Sequence, residues 1–468
     1  MIRALERLYG TRYMIPESRR LGEVPSPREA YGELARIAAP AVMEMVLMSL
    51  VSAVNTAMVA DLGAAATAAV GLTAQPRMLM LAIFMATNVG VTAIVARRKG
   101  EGRQEDANRT MRNAIVLILL LSGGITVFAV LAATPLMHLV GAKEDTIGMA
   151  TSYFRIICAG IPINALTMAI NAAQRGLGNT RVTMVVNITS NLFNLLFCYL
   201  LIQGRFGFPR LGVSGAAVAA FIGFTVGLIL CVISITWKGT FLKLRLRDNW
   251  RLDREIVGGI AKIGGNAVLE QIALRIGFML FARFVADLGT MEFATHTFAS
   301  QFLQITFTMG DGIGVAGTSL VGQYLGRKRP DLSMMYGKVA QRMALTASMI
   351  LLTFIVVLRY PLFRLFTDDP DILALGVKIM IIVAIFQPFQ TSSVVISGCL
   401  RGAGDTRFVA MTMMACVTVI RPLVTYLMIY VFKIGLAGAW LAMLFDMILR
   451  LSACYWRFSS GKWFDIKV

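Results

Sequence analysis

The sequence predicts an all-α polytopic membrane protein: twelve transmembrane helices in two parallel-repeat six-helix bundles around a central cleft. Three observations lead there: an apolar composition, apolar runs of spanning length, and an internal repeat. Of 468 residues, 57% are hydrophobic and 15% charged, against about 25% charged in an average soluble domain. Mean hydropathy is +0.70. So much apolar surface requires lipid as its solvent, and runs of roughly 20 apolar residues are long enough to cross a ~30 Å hydrocarbon core as helix.

The predicted spans are 36–60, 68–96, 113–133, 146–174, 181–203 and 212–236, then 256–286, 291–321, 338–358, 371–400, 407–432 and 435–457. Between the two sets, 237–255 is the longest internal polar stretch and marks a boundary between lobes. The expected organisation is a basic tail (1–31), an N-terminal lobe (32–236), a linker (237–255), a C-terminal lobe (256–457) and a second tail (458–468). The first tail lacks the apolar core of a signal peptide and is expected to carry at most a short surface helix.

Net charge is +19, and its distribution matters more than its size. Basic residues cluster in the tail (Arg3, Arg7, Arg12, Arg19, Arg20, Arg28), from Arg97 to Arg112, from Lys238 to Arg254, and at Arg327, Lys328 and Arg329. The loops from Asp61 to Thr67 and from Asp287 to Thr290 carry none. This one-sidedness places both termini in the cytoplasm and, for a bacterial protein, the chain in the inner (plasma) membrane. The charge is read as topology and anionic-lipid contact rather than nucleic-acid binding.

Catalytic chemistry finds no footing. The six cysteines (Cys158, Cys198, Cys231, Cys399, Cys416, Cys454) form no CxxC pair, and His138 and His296 sit at span ends. With no Walker loop, HExxH or GxSxG motif, neither an enzyme, a metal site nor a cofactor is expected.

The repeat is the strongest organisational signal. Val59-Ala60-Asp61-Leu62-Gly63 recurs 226 positions later as Val285-Ala286-Asp287-Leu288-Gly289. At the same offset, Arg175-Gly176-Leu177-Gly178-Asn179-Thr180-Arg181 returns as Arg401-Gly402-Ala403-Gly404-Asp405-Thr406-Arg407, and Glu44 returns as Glu270. Six spans per half make the repeats parallel, a symmetry that suits alternating access. The RGxGxTR stretches are read as cytoplasmic helix–loop–helix corners.

Ionisable groups in a span are costly, so they mark candidate function. Glu44 and Glu270 occupy equivalent places on the first helix of each half. Glu44 and Asn55 differ by about 20° of helical phase and ~16 Å of rise, so they share a face. Thr183, Asn187, Asn191, Asn194 and Cys198 form one polar stripe on the fifth span. In the C-terminal lobe, Gln271 and Arg275 follow Glu270, while Gln387 and Gln390 lie on the tenth span and Arg421 on the eleventh. Asp446 is mid-span in the twelfth, with Arg450 one turn later as an i,i+4 ion partner; Arg421 could instead pair with Asp446 or Glu270. Asp311, between Gly310 and Gly312, is a candidate helix break. Ion coupling is expected at Glu270, Glu44 and Asp446. The cavity is expected to be lined by Asn55, Asn187, Asn191, Asn194, Gln271, Arg275, Gln387, Gln390 and Arg421.

From about Pro40 to Asp446 the chain resembles the multidrug and toxic compound extrusion (MATE) family of cation-coupled efflux transporters. The resemblance rests on the paired RGxGxTR corners, on Leu211-Gly212-Val213-Ser214-Gly215-Ala216-Ala217, on Thr318-Ser319-Leu320-Val321-Gly322-Gln323-Tyr324-Leu325-Gly326, and on Ala53-Val54-Asn55-Thr56-Ala57-Met58-Val59. Glu270 matches a family glutamate on the seventh span. The chain departs where many members carry aspartates: Asn55 on the first span, Cys198 after Asn194 on the fifth, and Gln390 on the tenth. The resemblance implies a monomeric secondary antiporter that exports amphipathic or cationic organic compounds across the bilayer. With those acids missing, H⁺ is favoured over Na⁺ as the coupling ion. A lipid-linked saccharide or lipid flippase of the same superfamily is the alternative.

Overall fold

A computed structural model describes residues 9–237, 240–244 and 248–466. Arg3 and Arg7 of the tail, and Lys238, Arg245 and Arg247 of the linker, lie outside the described residues. Among the described residues, twelve long helical segments follow one another: α1 (Pro27–Ala60), α2 (Ala64–Gly100), α3 (Gln104–Leu131), α4 (Ile147–Ala159 continuing as Ile161–Gly176), α5 (Thr180–Gln203), α6 (Val213–Thr236), α7 (Arg254–Ala286), α8 (Thr290–Gly326), α9 (Pro330–Arg364), α10 (Pro370–Gly402), α11 (Thr406–Val431) and α12 (Leu436–Ser460). Ten of them are long and apolar enough to cross a membrane when the two parts of α4 count as one. α7 and α8 are equally long but more polar, carrying Lys262, Glu270 and Arg275, and Glu292 and Asp311 respectively. Large apolar side chains such as Leu120, Phe128, Ile350, Phe354 and Val357 lie exposed, as lipid-facing positions must.

The two parts of α4 meet at a 45° bend. Gly160 ends the first part and Pro162 opens the second, where its missing N–H costs nothing. α10 starts from Asp369, whose Oδ1 accepts from the backbone N–H groups of Asp371 and Ile372 at 3.0 and 3.2 Å, satisfying two of the helix's free donors. In the RGxGxTR corners, Gly178 and Gly404 take φ of +78° and +91°, the left-handed conformation that L side chains resist.

The described chain divides into two compact units, Met43–Gly264 and the combination of Met1–Val42 with Gly265–Val468. The cuts fall within α1 and within α7.

In the 43–264 unit, α2 and α4 touch at Gly176, where a Cβ would stand 2.7 Å from the Thr92 carbonyl oxygen. The Thr92 hydroxyl reaches back to the Ala172 carbonyl at 3.0 Å. The core around these helices includes Phe84, Ile118, Phe154 and Ile161.

The other unit repeats the device. Thr318 Oγ1 donates to the Gly398 carbonyl at 2.8 Å, and a Cβ on Gly402 would stand 2.7 Å from Thr318 Cα. α8 runs unbroken through Asp311, which corrects the expectation of a break there. Its glycines instead allow close packing: a Cβ on Gly312 would lie 2.7–2.9 Å from Val42, and one on Gly310 would lie 3.3 Å from Thr391. The tail is partly fixed to this unit, with Met14 and Ile15 buried. Lys338 Nζ donates to the Met14 carbonyl at 2.9 Å, and the Leu21 N–H donates to Asp331 Oδ2 at 3.1 Å.

Candidate functional site

Glu44 is buried on α1 in the 43–264 unit. Its Oε1 accepts from Arg175 Nη2 at 2.5 Å and from Asn187 Nδ2 at 2.7 Å. Oε2 accepts from Thr183 Oγ1 at 2.9 Å. Asn187 Oδ1 in turn accepts from Asn171 Nδ2 at 3.1 Å. A carboxylate taken out of water needs such charge-assisted donors, or its burial is prohibitive.

Further along the same face of α1, Asn55 Nδ2 donates to Asn194 Oδ1 at 3.2 Å. That oxygen also accepts from Cys198 Sγ at 3.4 Å. Glu44 and Asn55 therefore both meet the polar stripe of α5, one at each end. Asn191 behaves differently: its amide donates back to the Asn187 carbonyl of its own helix at 2.8 Å. Asn55 Oδ1 is buried with no hydrogen-bond partner among the described residues.

The second unit holds the counterpart. Glu270 is buried on α7, and its Oε1 accepts from Arg401 Nη1 at 2.7 Å. Beside it, Asn266 Nδ2 donates to Thr406 Oγ1 at 3.1 Å. Both arginines open an RGxGxTR corner, so one arrangement occurs twice: a carboxylate on the first helix of the repeat, and an arginine from the end of the fourth. Sequence reasoning treated those corners as architecture and missed the pairing. A signal existed, because the glutamate-to-arginine separation of 131 residues appears in both halves.

Asp446 and Arg421 form a second kind of pair, fully buried on both sides. Asp446 Oδ2 accepts from Arg421 Nε at 3.0 Å and from Nη2 at 2.5 Å. The i,i+4 pair of Asp446 with Arg450 is not formed. Arg421 offers two N–H groups of one rigid fork from the neighbouring helix, a geometry a same-helix partner does not match. Arg450 instead meets the thioether sulfurs of Met413, at 3.1 Å, and Met447. Arg421 also lies over the Phe278 ring at 5.0 Å, and it stands between two π-helical stretches, Met414–Ile420 and Leu427–Val431.

The remaining candidates are scattered. Gln387 and Gln390 are buried on α10; both amide atoms of Gln387 and Oε1 of Gln390 lack partners among the described residues. Gln271 is half-buried and Arg275 lies on the exposed side of α7.

Chemically, a buried carboxylate bound to one arginine is a two-state element. Ionised, it ties two helices together; protonated, it loses its charge and most of its hold on the guanidinium.

A model of the MatE family matches the chain twice, over residues 40–200 and 267–427, which is the internal repeat found again. Among curated relatives, "Probable multidrug resistance protein NorM" of Thermotoga maritima is 28% identical over 446 residues, 94% of each chain. "Multidrug resistance protein PmpM" of Pseudomonas aeruginosa is 27% identical, over 80% of this chain and 79% of that one. Among solved structures, an outward-facing multidrug resistance MATE family transporter of the MOP superfamily superposes with a TM-score of 0.85, at 22% identity, over 92% of this chain and 97% of that chain. That likeness bears on the fold: twelve helices in two repeats. With the family model matching across both halves, the chain belongs to the MatE family, the multidrug and toxic compound extrusion transporters.

Proposed function

We propose that the protein is a secondary active efflux antiporter, exporting amphipathic or cationic organic compounds in exchange for H⁺ by alternating access. The observation that carries this reading is the duplicated carboxylate–arginine pair, Glu44 with Arg175 and Glu270 with Arg401. A proton arriving at Glu270 neutralises the carboxylate and releases Arg401, loosening α7 from the end of α10. Loss of that proton to the cytoplasm restores the pair and resets the helix contact. Glu44 does the same for α1 and α4, and Asp446 is the third carboxylate of the coupling set. The substrate-facing groups are Asn55, Asn187, Asn191 and Asn194 in one repeat. In the other they are Gln271, Arg275, Gln387, Gln390 and Arg421.

Protons are favoured over sodium by the chemistry of the fifth-span site. Sodium binds hard oxygen ligands and needs negative charge nearby to offset its dehydration. At Asn55, Asn194 and Cys198 the chain offers amides and a thiol, and a proton needs only one carboxyl. The relatives named multidrug resistance proteins support the substrate class. The basic loops support a plasma-membrane protein with both termini in the cytoplasm; a monomer is part of the same proposal.

Glu270→Gln tests the role of the second pair, since it imitates a permanently protonated carboxyl. Substrate binding is expected to persist while pH-driven efflux from proteoliposomes collapses. Unchanged efflux by a folded Glu270→Gln protein would reassign Glu270 to structure.

A further inference from the structure

Two buried arginines, Arg421 of α11 and Arg450 of α12, share the neighbourhood of a single buried carboxylate, Asp446. Arg421 and Asp446 are fully buried and Arg450 is 4% exposed, so two guanidinium groups and one carboxylate share an interior site. Asp446 spends its Oδ2 on two bonds from Arg421, which leaves Arg450 with two thioether sulfurs. Thioethers are weak acceptors. Among the described residues no carboxylate lies within ion-pair distance of Arg450. Among the described residues its Nε, Arg421 Nη1 and the Thr425 hydroxyl are buried with no hydrogen-bond partner, and so is the second oxygen of Asp446, Oδ1. Two guanidinium groups and one carboxylate leave this interior site with an excess of one positive charge, with donors still unused on both arginines.

The buried carboxylate of Glu270 is paired with Arg401 instead. A second guanidinium in a low-dielectric interior is repelled by the first and stays costly until an acceptor of negative charge joins it.

We propose that Arg450 and Arg421 bind a small monovalent anion, with the Thr425 hydroxyl as a third donor. Its chemistry is that of a compact acceptor: a halide, or the carboxylate of an organic compound. The two methionines that now cover Arg450 have flexible, polarizable side chains that can swing aside. The π-helical stretches on either side of Arg421 supply the irregular backbone that commonly accompanies ligand sites. Asp446, one of the proposed coupling carboxylates, adjoins this site, but the anion site does not require H⁺ exchange at Glu270 and would stand if that exchange were disproved.

The test uses the full chain, purified in detergent at constant ionic strength, with gluconate replaced stepwise by chloride, bromide or acetate. The thermal midpoint is expected to rise by several degrees with a saturating dependence on the anion. Arg450→Gln should abolish that dependence, and Arg450→Lys should retain it at several-fold lower affinity. Saturation by chloride and bromide identifies a halide; saturation by acetate alone identifies a carboxylate. Because Arg450→Gln could fail to fold, wild-type crystals grown in bromide provide a second readout, an anomalous peak within hydrogen-bond reach of Arg450 Nε. No saturable effect of any of the three anions, an effect undiminished in folded Arg450→Gln, or bromide-saturable stabilisation without that peak would overturn the proposal.

Discussion

Replacing Glu44 by glutamine and by alanine separates charge from hydrogen bonding at a buried acceptor. Three side chains donate to this carboxylate, from Arg175, Asn187 and Thr183. Glutamine keeps an oxygen toward Arg175 and Asn187, and its amide can meet the Thr183 hydroxyl, which turns to accept. What is lost is charge assistance on two bonds, about 1 kcal/mol each, or about 2 kcal/mol together. Alanine leaves Arg175 and Asn187 without their acceptor. Breaking a buried ion pair from one side costs about 3–5 kcal/mol. The Arg175 side chain is 28% exposed, so water recovers part of its charge and the lower half of that range applies. Thermal unfolding of the detergent-purified variants should therefore rank wild type above Glu44→Gln, and Glu44→Gln above Glu44→Ala. An alanine variant as stable as the glutamine variant would refute the inference that the pair holds α1 to α4 and α5.

At Asp446 and Arg421, both fully buried, a double-mutant cycle is expected to be strongly non-additive. Asp446→Asn alone strands a cation and should cost about 3–5 kcal/mol, while Asp446→Leu with Arg421→Met should recover most of that loss; additive losses would show that the two groups act separately. Gly402→Ala is expected to destabilise by about 1–3 kcal/mol through overpacking against Thr318. Gly404→Ala should also destabilise, but through its positive φ. Equal stability of Gly402→Ala and wild type in thermal unfolding would deny the close α8–α10 contact.

Much of this was legible because repetition and helical phase are both periodic in sequence. The 226-residue offset makes Glu44 and Glu270 equivalent in the two repeats. The eleven-residue spacing put Glu44 and Asn55 on one face, and the structure brings both to α5. α7 and α8, more polar than the other long helices, coincide with the expected spans 256–286 and 291–321. What could not be read was partner choice between distant segments. Arg175 and Arg401 reach their glutamates across 131 residues, and a local rule sees only a basic helix end at a corner. Asp446 shows the opposite failure. The i,i+4 rule pointed to Arg450, but tertiary geometry gave the carboxylate to the two-pronged donor on α11. Gly310 and Gly312 looked like a flexible point around Asp311, yet small residues serve equally well where two helices must touch.

The central claim is that buried carboxylates exchange protons to drive export, and ion gradients can be separated to test it. Purified protein in proteoliposomes would be loaded with a cationic fluorescent compound. Export would then be measured under an inward H⁺ gradient alone, and under an inward Na⁺ gradient with pH clamped on both sides. Uphill export is predicted under the first condition and not under the second, and Glu270→Gln should abolish it. Robust uphill export driven by Na⁺ at clamped pH would contradict proton coupling.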